Sequence, residues 1–272
     1  MIRSLWTAAS GMIAQQTNVD TIANNLANVN TTGYKTEVAE FKSLLYQTLQ
    51  TKTTSANGEN KPVGAQVGLG VRNSAITSQF TQGSMLASAS QTSFAIEGDG
   101  FFAVRGQDNV IHYTRNGNFT MAKGANGTTT LATTDGLPVL NSAGAPITFA
   151  ANLDVNKISA SSDGQFLYPD ANNNLQPLGV RIGLYQFTNP SGLDKTDSSL
   201  YLATAASGVA LNEATNANLT DSKINQGYLE GSNVQVADEM VNLIVAQRAY
   251  ELNSKAIQAS DEMMQQANSL RR

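Results

Sequence analysis

Six aspartates, Asp99, Asp108, Asp135, Asp154, Asp163 and Asp170, and a single histidine, His112, are among the residues in the middle of this chain that could carry acid–base or metal chemistry. The aspartates lack the alternating D-x-D spacing of a calcium loop, so most of them read as turn formers. His112 lies between Ile111 and Tyr113 in an expected strand. A general base there would need an orienting carboxylate and a nucleophile, and no nucleophile can be named. Neither GxSxG nor HExxH occurs. The chain has no cysteine, which removes disulfides, thiolate metal sites and a cysteine nucleophile together. Gly68-Leu69-Gly70 lacks the GxxxxGK pattern, the preceding buried strand and the following helix of a phosphate loop. Two carboxylates are all that a glycosidase needs, so a secreted β-rich enzyme or glycan-binding module with helical oligomerisation tails stands as the rival class. The reading is a protein that is not an enzyme, with no catalytic, cofactor-binding or metal residue assigned and no cofactor.

Composition narrows the field further. With 17 Lys and Arg against 21 Asp and Glu, a formal net charge of -4 and no basic run, nothing supplies the phosphate contacts of a nucleic-acid binder. The 272 residues suffice for one or two domains with a sizeable core. No apolar run approaches the ~20 residues that span a bilayer. The first stretch, MIRSLWTAASGMIAQQTNVD, is not a secretory signal, because Gln15, Gln16, Asn18 and Asp20 interrupt it. If the chain leaves the cytoplasm, it does so by another route.

The strongest pattern lies at the ends. From Ser232 to Leu270, the residues Val236, Leu243, Tyr250, Ile257 and Met264 recur every seven positions, which keeps them in one slowly drifting column of a helix. Ser232 or Asn233 can cap its first turn, Asp238 and Glu239 place negative charge near its positive end, and Arg271 and Arg272 follow at the other end. Leu5, Met12, Val19 and Leu26 repeat the same spacing near the N-terminus, with Ala8, Ile22 and Val29 three residues further on. This first helix is expected from Ile2 to about Asn30, stopped by Asn30-Thr31-Thr32-Gly33. The two columns are candidate seams for each other, although two amphipathic helices on one globular core would carry similar periodicity. Met240 to Ala246 is apolar nearly all round, more than one partner helix can cover, so the remainder calls for a bundle or other copies of the chain. Asn18, Asn24, Asn25 and Asn28 are poor helix formers. They read either as a solvated polar face or as buried amides that fix register and partner choice.

Between the ends, Tyr34–Gln50 could continue as a short helix through Phe41, Leu44, Leu45 and Leu49. Thr51–Gly70 is polar and glycine-rich and reads as an extended loop or open hairpin. From Val71 to about Leu211, short β runs alternate with turn signals. Phe94–Ile96, a Glu97-Gly98-Asp99-Gly100 turn and Phe101–Val104 form one hairpin, and Tyr113 with Asn116-Gly117-Asn118 and Phe119 suggests a second. The fold class expected is α+β: long N- and C-terminal helices forming a coiled-coil domain, with an inserted mainly-β middle. Its boundaries fall at 1–33, a connecting helix or hairpin region 34–93, a β-rich domain 94–211, a return connection 212–231, and 232–272.

The N-terminal SLWTAASGMIAQQTNVDTIANNLANVNTTGYK and the C-terminal GYLEGSNVQVADEMVNLIVAQRAYELNSKAIQASDEMM resemble the terminal signatures of the bacterial flagellar rod and hook protein family. Together they cover about a quarter of the chain. The GLGV at Gly68–Val71, FAIEGDGFFAV at Phe94–Val104 and YTRNGNF at Tyr113–Phe119 are most similar to its rod members, whereas a hook protein would carry a larger middle. The resemblance implies a structural subunit, stacked helically with its own kind into a hollow shaft whose inner coiled-coil tube is made of the terminal helices. It further implies location in the flagellar basal body outside the cytoplasmic membrane and export without a cleaved signal through the flagellar type III apparatus. Other rod subunits and the hook protein are implied as partners at its ends, with rod-bushing rings where the envelope has them. The Thr51–Gly70 loop is similar to a segment that stiffens the rod relative to the hook.

Overall fold

The computed structural model describes residues 2–50, 64–123, 127–150, 153–154, 157–170, 174–197, 199–216 and 219–270. An N-terminal helix and a C-terminal helix bracket a mainly-β middle, an α+β chain. It divides into two compact units: Met1–Ala27 with Glu37–Ser78 and Gln235–Arg272, and Asn28–Thr36 with Gln79–Val234.

The first unit holds both helices. The first, α1, spans Ile2–Ala27 and stops short of the expected Asn30. At that point Asn28 turns the chain: its carbonyl accepts the Thr31 N–H at 3.1 Å and its Oδ1 accepts the Thr31 hydroxyl at 3.1 Å. Such local side-chain bonds compete with continued helix. The short helix expected within Tyr34–Gln50 does not form. That stretch is two strands instead, β1 (Glu37–Ser43) and β2 (Tyr46–Gln50). Spacings of three and four between Phe41, Leu44, Leu45 and Leu49 suited a helix, but along β1 burial alternates nearly residue by residue, the period of a strand. Its partner is β4 (Val71–Ser78), antiparallel from Glu37↔Ser78 to Ser43↔Val71 with a bulge at Glu40/Phe41. β3 (Ala65–Gly68) pairs with β2 in the same sense, so the hairpin reading holds there, while Thr51–Val63 lie outside the described residues.

The C-terminal helix, α2, spans Val236–Ser269 and starts later than Ser232. Its cap residue is Gln235, which makes no side-chain capping bond. Asn233, the expected cap, is engaged elsewhere: its Oδ1 accepts the Thr36 N–H and hydroxyl at 2.7 Å, and its amide donates to the carbonyls of Gln79 and Thr81. Asp238 and Glu239 do stand in the first turn, where the helix dipole favours them. Arg271 and Arg272 lie outside the described residues.

The second unit is built on a six-stranded sheet ordered Asp194–Lys195, Leu200–Leu202, Ile111–Thr114, Phe101–Arg105, Leu184–Gln186 and Leu211–Asn212. Along its central strand, Phe101, Phe102, Ala103 and Val104 are all fully buried because the sheet is covered on both faces. Phe102 and Val104 join a cluster with Phe94, Phe119, Leu131 and Phe166, while Phe101 and Ala103 join one with Tyr113, Leu140, Phe187 and Tyr201. Neither expected hairpin forms. Phe94–Glu97 pairs with Lys223–Gln226 and Phe101–Arg105 with Ile111–Thr114 and Leu184–Gln186, so the Glu97-Gly98-Asp99-Gly100 turn joins strands of two different sheets. Ile111–Thr114 pairs within the six-stranded sheet, whereas Phe119–Lys123 pairs with Thr129–Thr133. Between them Gly117 passes so close to Phe94 that a Cβ would sit 1.7 Å from its carbonyl oxygen, which only glycine permits.

Candidate assembly surface

The helix pair of the first unit is joined by small and polar side chains. Ser4 and Ser260 hydroxyls lie 3.3 Å apart, and a Cβ on Gly11 would come within 2.9 Å of the Asn253 amide. Low numbers on α1 meet high numbers on α2, so the helices run antiparallel. Fully buried positions continue the line: Ala8, Ala14, Thr21, Ile22 and Asn25 on α1, and Glu239, Ala246 and Ser260 on α2. On α2 these, with Asn253, form a column of their own at the seven-residue repeat, 239, 246, 253 and 260. A glycine and short side chains let two backbones approach closely, and contact of this kind covers little of the surrounding apolar surface.

The apolar column noticed in the sequence lies beside that line. Leu5, Met12, Val19 and Leu26 of α1 are half-buried, as are Leu243, Ile257 and Met264 of α2. Val236 and Tyr250 are 41% and 42% exposed, so within one chain they have no full cover. Further round α2, Met240, Val241, Ile244, Val245 and Leu252 are exposed, Ile244 by 56%, and α1 exposes Trp6 and Ile13. A contiguous run of large apolar side chains in water is the mark of an interaction surface. In Met240–Ala246 only Ala246 is fully buried.

The asparagines divide by position. Asn25 is 1% exposed, and its amide clamps the start of β1: Oδ1 accepts the Glu37 N–H at 2.9 Å and Nδ2 donates to the Glu37 carbonyl at 2.8 Å. Those are the two bonds that a neighbouring strand would make. Asn24 reaches the Glu37 carboxylate at 3.5 Å from an exposed position. Asn18 is half-buried at a cavity of about 220 Å³ lined also by Glu37, Glu239 and Asn242. Asn28 belongs to the turn described above.

The second unit contains a charge cluster that sequence reading missed. Glu230 Oε1 accepts the Lys35 ammonium at 2.6 Å and the Gly83 N–H at 3.0 Å, and Arg115 lies 3.5 Å from Oε2. Lys35 also donates to the Thr81 carbonyl at 2.7 Å, and the Arg115 guanidinium sits 4.9 Å from the Phe101 ring centroid. All three charged side chains are buried. Burial lowers the pKa of Lys35 and of Arg115, with the Glu230 charge working in the opposite direction for both. The only signal available beforehand was that Lys35 and Glu230 fall inside the terminal signatures. The aspartates Asp99, Asp108, Asp135, Asp154, Asp163 and Asp170 do not converge: among the described residues, no three His, Cys, Asp or Glu side chains gather as a metal site. His112 is half-buried in its strand, with Nδ1 lacking a hydrogen-bond partner.

Residues 5–35 match the family described as flagella basal body rod protein. Residues 95–168 match the flagellar hook protein FlgE/F/G D1 domain, and residues 225–270 the flagellar basal body rod FlgEFG protein C-terminal family. The chain is 45% identical to the flagellar basal-body rod protein FlgG of Borreliella burgdorferi over the full length of both. It is 39% identical to that of Buchnera aphidicola from Schizaphis graminum, over 99% of this chain and all of the relative, and 36% identical to that of Bacillus subtilis over the whole of both.

Proposed function

Because the chain belongs to the flagellar basal-body rod protein family, we propose that it is a structural subunit of the distal rod that polymerises helically and transmits torque through the assembled shaft. The observation that carries this reading is the uncovered apolar face of the helix pair, Trp6 and Ile13 on α1 and Met240 to Leu252 on α2. Burial of each large side chain stabilises a contact by roughly 1.5–3 kcal/mol, and in a helical array the gain repeats at every subunit. Contacts between two different patches repeat head to tail, and where the rotation between neighbours does not close they build a helical filament.

In this reading the terminal segments 1–33 and 232–272 form an inner coiled-coil tube. Leu5, Met12, Val19, Leu26, Val236, Leu243, Tyr250, Ile257 and Met264 are the assembly seam, with Asn18 and Asn24 setting register, while Asn25 and Asn28 are engaged within the chain by Glu37 and Thr31. The partners are further copies of the chain, other rod subunits and the hook protein at its ends, and ring proteins around it. The family is structural, and no residue is assigned to catalysis. No helix among the described residues is long and apolar enough to cross a membrane, and the subunit reaches the basal body through flagellar export without a cleaved signal. The Thr51–Gly70 excursion stiffens the shaft through neighbouring subunits.

The test is deletion of the chain, with electron microscopy of purified protein across a concentration series. Deleted cells should build no hook, and concentrated protein should form rod-like polymers. Complete hooks on deleted cells would overturn the reading.

A further inference from the structure

One carboxylate of the helix pair is buried with an oxygen that accepts no hydrogen bond. Glu239 is 9% exposed, and its Oε2 has no hydrogen-bond partner. It lines the cavity of about 220 Å³ at Asn18, Glu37 and Asn242, whose rim is formed by the exposed side chains of Val38, Asn242 and Val245. That volume exceeds the ~30 Å³ share of a single water several-fold, enough for a guanidinium with room to enter. The dipole at the start of α2 offsets only part of what a buried carboxylate without a cation costs, so the site suits a cation. None is within the helix pair's own reach. Arg3, the single cation of α1, lies at the end where Ser4 meets Ser260, and α2 has no Lys or Arg before Arg248. With two carboxylates, two amides and no third acid, the cavity is a poor cage for a metal ion and suits a side chain that donates several hydrogen bonds at once.

Arg248 has the complementary surroundings. It is exposed, and its one ion pair, to Glu251 at 2.8 Å, is a solvent-exposed contact between residues on the same helix face that exchanges at little cost. Nine residues beyond Glu239, it projects from the opposite side of α2. Val241, Ile244, Val245 and Leu252 are its helical neighbours on that side, and all four are exposed. A cation ringed by apolar side chains is the layout of an interface hot spot, because docking of the ring excludes water from the charge at its centre.

Resting on the polymerisation proposed above, we infer that Glu239 of one subunit receives Arg248 of a second copy of this chain. The two positions face opposite ways on α2, so the contact is head-to-tail and repeats along the assembly. Pairing satisfies that carboxylate oxygen only on assembly and therefore selects the correct register among the many that an apolar face alone would tolerate.

The cysteine-free chain permits a direct test. Cells carrying the chain with Glu239→Cys and Arg248→Cys together are treated with a short bis-maleimide, whose span replaces the side-chain length lost on truncation to cysteine, and their basal bodies are run on denaturing gels. Within one helix the two positions are about 13.5 Å apart along the axis and on opposite sides of it, so the reagent does not join them internally. A ladder of dimers, trimers and higher multimers is expected, and neither single variant should give one. Dimers from a single variant, or incorporated double variant without a ladder, would overturn the contact. A second measurement covers failed incorporation: Glu239→Gln and Arg248→Gln should each raise the polymerisation threshold at least tenfold, and the double variant should be no worse than either. Additive effects, or normal assembly by Glu239→Gln, would overturn the inference while leaving polymerisation itself intact. Stabilisation of the unassembled wild type by Ca²⁺ or Mg²⁺, lost in Glu239→Gln, would instead make the cavity a metal site and overturn the pairing. Absence of wild-type polymers together with normal hooks on deleted cells would remove the polymerisation reading, and a cysteine ladder in basal bodies would be incompatible with that outcome.

Discussion

The two units solve the problem of cover in opposite ways. The β unit buries its large side chains on itself: Phe94, Phe101, Phe102, Phe119 and Phe166 are all shielded, and edge-to-face ring pairs such as Phe102–Phe119 at 5.1 Å lock their geometry. Its charged residues Lys35, Arg115 and Glu230 are buried too, but with one another. The helix unit does the reverse, placing serine, glycine, asparagine and alanine at its tightest line and leaving methionine, valine, isoleucine and leucine in water. A region that is finished alone packs its bulk inward, whereas one completed by neighbours keeps bulk outside and lets small residues set the spacing. The comparison separates a self-sufficient fold from one whose remaining stabilisation comes from assembly.

The sharpest way to break this contrast is at Leu243, half-buried within the apolar stretch. Leu243→Asp puts an unpaired charge where a neighbour should dock, at several kcal/mol per subunit repeated at every copy. Polymers should vanish under electron microscopy while thermal melting of the β unit stays as in wild type, and intact polymers would mean that this face is not the contact. Next in size is Glu230→Ala, which strands two cations in the interior of the β unit. A loss of about 3–5 kcal/mol in denaturant titration is expected, with hydrogen exchange accelerated in Phe94–Arg105 and little changed in α2. Equal loss of protection in the helices would show that the two units unfold as one body. Gly11→Val tests the close approach: the added carbons meet Asn253, and overpacking should cost about 1–3 kcal/mol of helix-pair stability, seen in the helical circular dichroism melt. Asn253→Ala in the same chain should recover much of it. The smallest effect concerns alkaline pH. Burial pushes the Tyr113 phenol up from 10.0 to about 12. The unfolded state therefore releases this proton first, so stability of the β unit falls as pH rises from about 10 to about 12. Tyr113→Phe should flatten that part of the stability curve, and an unchanged slope would assign it to other groups.

Much of this contrast could be read from the sequence, for identifiable reasons. The terminal helices announced themselves through long periodic columns, and the excess of apolar residues in Met240–Ala246 already exceeded what one partner could cover. The strands Phe94–Glu97 and Phe101–Arg105 and the turn between them were legible because turn residues and β-rich flanks agree, but their pairing was not: the two join different sheets, Phe94–Glu97 lying against Lys223–Gln226. What escaped was set by partners distant in the chain. Val38 and Phe41 fit either period, and pairing with Val71–Ser78 settled them as strand. The line of closest helix approach was hidden because serine, glycine and asparagine carry no hydrophobic signal; the eye followed Val236, Leu243 and Tyr250 one stripe over. Asn25 stood out as an odd helix residue, but its partner, the backbone of Glu37, has no sequence signature. Nothing local marks Lys35, Arg115 and Glu230 as neighbours.

That last cluster bears on the timing of folding. The bond between Lys35 and Glu230 closes a loop of 195 residues, which on loop-closure grounds alone costs about 4–5 kcal/mol of chain entropy before any contact compensates. Glu230 also collects Gly83 and Arg115, so three remote stretches wait on one carboxylate near the far end of the chain. A polypeptide still emerging in either direction lacks one side of this knot and cannot complete the β unit. Long-range closure of this kind makes completion of the β unit a late event in folding.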